Sequence, residues 1–131
     1  MFQVGGAGAV GTGSLRGMPL LQRLHDEEFS IWPFDPPGWP RVVEIYPRLL
    51  TGAANKGRRD KRVDYLQVRA GIPAPLRDLA IESEDAFDAA VSAIVMSENI
   101  ERLTNLPYPL DAQRQIEGVI WHPTLSLTSG S

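Results

Sequence analysis

Residues Ser83 to Asn99 read SEDAFDAAVSAIVMSEN, and the fold depends on what this stretch does. Projected at 3.6 residues per turn, Phe87, Ala90, Val91, Ile94 and Val95 form a wide apolar stripe. Ala86, Ala89, Ala93 and Met96 cover most of the remaining surface. Only a narrow strip holding Asp85, Asp88 and Ser92 is polar. The pattern predicts a helix that starts at Ser83 and runs to about Leu103. A helix apolar nearly all round is a buried one. Asp85 and Asp88 lie on neighbouring turns of one face. Two carboxylates in a dry interior need a cation, and a divalent metal is an economical one. The plainer reading is that Ser83 caps the helix, while Glu84 and Asp85 sit in a first turn whose dipole favours negative charge. Both readings stay open at this point.

Working outward, the 131 residues suffice for one small domain with one core. Hydrophobic content of 43% and charged content of 22% are those of an ordinary globular chain. The net charge of -3 excludes a global basic field of the kind a nucleic-acid coating protein carries. With no cysteine there are no disulfides and no thiolate zinc sites, which fits a reducing cytoplasm. No apolar run is long enough to span a bilayer, and the N-terminus lacks the layout of a signal peptide.

Upstream, MFQVGGAGAVGTGSLRG contains G-x-G-x-x-G at Gly6, Gly8 and Gly11. A dinucleotide-binding turn needs a strand before these glycines and an unbroken helix after them. Only Phe2, Gln3 and Val4 precede them, and Gly13, Gly17 and Pro19 are expected to interrupt any helix on the far side. A glycine-rich loop for a phosphate, with Arg16 alongside, remains an alternative to a plain loop. Pro19 to Glu28 reads as a short helix with Leu20, Leu21 and Leu24 inward, and His25 near its end as a cap of carbonyls. Phe29 to Phe34 reads as a strand and Asp35 to Pro40 as a rigid loop.

Arg41 to Tyr46 (RVVEIY) reads as a second strand, apolar enough to be buried on both faces. Glu44 is then a second anomalous carboxylate, unless the strand lies at an edge with Glu44 in solvent. Lys56, Arg58, Arg59, Lys61 and Arg62 form a basic cluster leading into a helix that ends near Arg69, with Val63, Leu66 and Val68 inward. Cations at a helix N-terminus oppose its dipole, a hint of an anionic partner such as phosphate beside the commoner reading of a solvated face. Gly71 to Leu76 reads as a breaker-rich loop. Gln115 to Trp121 reads as a short closing strand and residues 124–131 as a disordered tail.

A strand glutamate followed by a helical D-x-x-D resembles the ribonuclease-H-like nuclease superfamily. VVEIY at 42–46 looks like the strand carrying its middle acid, and Asp85-Ala-Phe-Asp88-Ala like the last helix of RuvC-type junction resolvases. The strings GGAGAVGTGSLRGMP, WPFDPP, VVEIYPRLLTG, SEDAFDAAVSA and EGVIW are similar to those of the bacterial domain-of-unknown-function family 429, a group of predicted nucleases of that fold. The resemblance implies an α/β domain, a mixed sheet flanked by helices, over residues 1–123. It also implies that the opening strands and their aspartate are missing, so that the chain is a truncated and inactive form. The implied chemistry is phosphodiester hydrolysis by two divalent ions, Mg²⁺ or Mn²⁺, about 3.5–4 Å apart. Glu44, Asp85 and Asp88 would be the catalytic and metal-holding acids. Arg16, Arg48, Lys56, Arg58 and Arg59 would contact phosphate.

Two functions are therefore expected to compete: a metal-dependent nuclease, and a non-catalytic remnant that binds nucleic acid or a protein. Nucleic acid is the expected partner, no membrane is, and an exposed strand edge would permit a homodimer.

Overall fold

The computed structural model describes residues 10–126 apart from 70, 109 and 110, with side chains from residue 17 onward. Helix and strand are mixed along the chain. The described residues separate into two compact units. One contains the chain up to Glu44 together with Tyr108–Val119, and the other contains Ile45–Pro107 and the residues from Ile120 on.

The first unit opens with α1, Val10–Asp26. It begins earlier than the sequence suggests and runs continuously through Gly13, Gly17 and Pro19. The interruption expected at those residues does not occur, while the glycines at 6 and 8 lie outside the described residues. The helix ends by turning into the left-handed region at Glu28, φ 66°. The Phe29 N–H then donates back to the Leu24 carbonyl at 2.9 Å and the Glu28 N–H to the His25 carbonyl at 3.0 Å. This is the reverse turn that glycine normally makes at a helix C-terminus. A Cβ in that region carries a steric cost. Glu28→Gly is therefore expected to stabilise the first unit by about 1 kcal/mol, read as a higher urea midpoint with an unchanged slope.

Strands β1 (Ser30–Ile31) and β2 (Arg41–Val42) pair in parallel, Ser30 opposite Arg41 and Ile31 opposite Val42. The Ser30 N–H donates to the Pro40 carbonyl and the Trp32 N–H to that of Val42. The expected six-residue strand is broken at Val43, after which β3 covers Glu44–Ile45. It is also not buried on both faces, because Glu44 is exposed and Arg41, Val42 and Val43 are half-buried. Of the strand expected over Gln115 to Trp121 only the end forms, at Ile120–Trp121, and the residues before it belong to a helix, α7 (Ala112–Glu117). Asp111 caps it by accepting from the Arg114 N–H at 3.0 Å, and Gly118 ends it at φ 82°. QIEGVIW alternates like a strand, but the Asx cap in front of it takes over the backbone.

The second unit contains α2 (Pro47–Thr51), α3 (Arg59–Gln67), α4 (Ala74–Ala80), α5 (Glu84–Glu98) and α6 (Ile100–Thr104). β4 (Ile120–Trp121) pairs with β3. Helix α5 is the expected one. The Ser83 hydroxyl accepts from the Ala86 N–H at 3.0 Å, and Phe87, Val91 and Val95 are buried. It stops at Asn99 rather than running to Leu103, and α6 resumes after it. The Asn99 amide donates to the Val95 carbonyl and so satisfies one of the last-turn acceptors. Both α2 and α4 pack on α5. Helix α4 lies partly where a loop was expected: Pro75 sits in its first turn, where a missing N–H costs nothing. The core is Leu50, Leu66, Ala80, Ile81, Phe87, Val91, Val95, Leu103, Leu106 and Trp121. Of the residues expected inward on α3, Leu66 is buried, Val63 is half-buried and Val68 is exposed.

Candidate functional site

The polar strip of α5 is the natural place to look, because it is a line of oxygens on an otherwise apolar helix. Asp85 is exposed in the first turn, where the helix dipole accommodates it. Asp88, one turn further in, is half-buried with only 16% of its side chain accessible. A carboxylate so placed needs a partner. It has one: the Lys56 ammonium, itself 25% accessible, is ion-paired to Asp88 Oδ2. The other oxygen, Oδ1, is buried and makes no hydrogen bond among the described residues. Ser92 comes one turn later on the same face, 4% exposed, and its hydroxyl also has no partner among the described residues. Thr51, on the helix α2 that packs against α5, adds a second buried hydroxyl without a partner among the described residues.

Lys56 reaches Asp88 because its backbone is held. Arg62, only 6% exposed, lies at the centre of the second unit. Its Nη1 donates to the Lys56 carbonyl at 2.6 Å. Its Nε and Nη2 donate to the Ile81 carbonyl at 3.0 and 2.8 Å. One planar guanidinium thus ties the loop before α3 to the end of α4. The sequence groups Arg62 with the solvated cluster, and the structure corrects this. The signal is present in the chain: Arg62 lies four residues before Leu66, on the same inward face.

The other expected phosphate contacts differ in how they are engaged. Arg58 is held by Asp60, its Nε and Nη2 donating at 3.1 and 2.8 Å. Those bonds hold the exposed Asp60 carboxyl below its usual pKa. Arg48 and Arg59 are exposed and form no ion pair among the described residues. The side chain of Arg16 lies outside the described residues.

Glu44 belongs to the first unit. It lines an apolar cavity of about 390 Å³ whose walls include Met18, Leu21, Trp32 and Phe34. Gly118 stands close by: a Cβ there would lie 3.3 Å from Phe34 Cζ and 3.9 Å from Glu44 Oε2. In the same unit His25 does not cap carbonyls with its ring. Its Nδ1 lies 3.1 Å from Asp35 Oδ2, and that carboxylate also accepts from the Ile31 N–H at 2.9 Å.

The donors can be tested against a divalent ion. Asp88 Oδ1 and the Ser92 hydroxyl are hard oxygen ligands already removed from water. Against them, Asp88 Oδ2 is taken by Lys56. Within neither unit, among the described residues, do three or more His, Asp or Glu side chains gather to hold a metal. Among its described residues the second unit therefore does not itself supply a two-ion centre. Among the described residues no helix is long and apolar enough to cross a membrane. Comparison with models of protein families, with curated proteins and with solved structures finds no match to this chain.

Proposed function

We propose that the chain binds nucleic acid through the exposed cations of its second unit, as a domain of the ribonuclease-H-like nuclease kind whose acids are quiet in the state described. What carries this reading is the engagement of Asp88. The acid that the resemblance makes catalytic is neutralised by Lys56, while Arg48 and Arg59 stay open to phosphate. The resemblance of VVEIY and SEDAFDAAVSA to predicted nucleases supports the choice of nucleic acid over other anions. Anion binding by exposed arginines is electrostatic and should weaken as salt rises. Oligonucleotide affinity measured across a salt series should fall log-linearly. The joint change Arg48→Gln and Arg59→Gln should reduce the slope by about two. Affinity indifferent to salt, or a slope unchanged in the variant, contradicts the reading.

A second reading, metal-dependent phosphodiester hydrolysis with Asp88 among its acids and Mg²⁺ or Mn²⁺ as its ions, is favoured by the buried Oδ1 of Asp88, which has no partner among the described residues. It predicts Mn²⁺-dependent cleavage that Asp88→Asn abolishes. Cleavage that survives this change removes it.

A further inference from the structure

We propose that the second unit pairs with a second copy of itself through a groove between α4 and α5, the leucines of each copy entering the alanine row of the other. The inference goes beyond the functional reading above, which rests on Arg48, Arg59 and Asp88, and none of these lines the groove. The groove is an apolar cavity of about 360 Å³. Leu76 and Leu79 line its α4 side and are 57% and 59% exposed. Ala86, Ala90 and Ala93 line its α5 side, spaced four and three residues apart and so on one face of that helix. Bulk stands on one side of the groove and methyl groups on the other. Aliphatic side chains left in water gain by burial, and a contiguous apolar surface of this kind marks an interaction site.

Shape and charge select the occupant. A twofold pair uses the same patch on both copies, so the patch must be complementary to itself. Large residues beside small ones meet that condition. A half-turn about an axis through the groove sets the leucines of one copy over the alanines of the other, where the short side chains permit a close helix approach. The charges are arranged in the same sense. Where α4 leads into α5, Glu82 and Asp85 are exposed. Ile72, a lining residue, stands before the other end of α4, and its carbonyl accepts from Arg77 Nη2 at 3.3 Å. Arg77 is half-buried and forms no ion pair among the described residues, and its buried Nε makes no hydrogen bond among them. The half-turn exchanges the two ends and brings the carboxylates of one copy towards Arg77 of its partner. Complementary charges of this kind fix the register of a pair more than its strength.

Sedimentation equilibrium of the full chain over about two decades of concentration should show the mass rising from one copy to two, as mass action requires. Leu79→Asp and Ala93→Glu each put a charge into the groove at an exposed position. Each should raise the dissociation constant by about tenfold or more, while circular dichroism and the urea midpoint stay those of the wild type. Ile116→Asp, which changes an exposed apolar residue on α7 in the other unit, should leave the constant unchanged. Should Leu79→Asp not fold, Ala93→Glu decides alone. A chain that stays monomeric throughout overturns the proposal and leaves the groove to an apolar segment of another protein or to an aliphatic ligand. A dimer that both groove variants leave intact is held by another surface and overturns it too. Failure to bind oligonucleotides, with these results intact, overturns only the functional reading.

Discussion

Replacing Arg62 by methionine is expected to cost about 3 kcal/mol or more of stability, roughly the loss of two charge-assisted hydrogen-bonding partners. The side chain is 6% exposed, so little water reaches it. Its three donors serve two carbonyls, those of Ile81 and Lys56. Methionine fills much of the volume but leaves both acceptors without their charged donor, and a buried unpaired acceptor loses its water without replacement. Arg62→Lys should recover only part of the loss. A single ammonium cannot span two carbonyls as the rigid fork does. Urea unfolding followed by circular dichroism measures both variants, and a cost below about 1 kcal/mol for methionine, no more than one ordinary hydrogen bond, would show that the guanidinium does not join the loop to α4.

Phe87→Ala should cost a similar or larger amount, about 3–5 kcal/mol. Phe87 is fully buried on α5. Its ring meets that of Tyr65 edge to face, with centroids 5.2 Å apart and planes at 73°, a geometry the aromatic quadrupole favours. Alanine removes the ring and leaves a hole between α3 and α5 that the backbone cannot close. Ile116 is an apolar residue on α7 that is 82% exposed, and Ile116→Ala should stay within about 0.5 kcal/mol of the wild type. Equal losses at the two positions would contradict the placement of the core on α5.

The legibility of the chain depends on the range of the forces that fix each element. Helix α5 is readable because its signals are local: the Ser83 cap, the first-turn acids and the apolar period all lie within one stretch. Helices α4 and α7 escape a sequence reading for a local reason too. Pro73 and Pro75 read as breakers though proline suits a first turn, and QIEGVIW satisfies both a two-residue and a helical period. Strands of two residues, as in β1 to β4, are set by their pairing partners and leave little in the sequence. The need of Asp88 for a cation is legible from the helical period alone. That Lys56, 32 residues away, meets that need is not, because it depends on where Arg62 pins the loop. By charge alone Lys56 looks like a phosphate contact, whereas the spacing of Arg62 from Leu66 does mark that arginine as inward.

Asp88 is a half-buried acid held by Lys56. A double-mutant cycle with Lys56→Met and Asp88→Asn tests this most directly, the stability of each variant being taken from urea unfolding. Because neither side chain is fully exposed, the pair should show a favourable coupling of about 1–2 kcal/mol, above the range of surface ion pairs. Additivity of the two changes within about 0.4 kcal/mol would contradict the account.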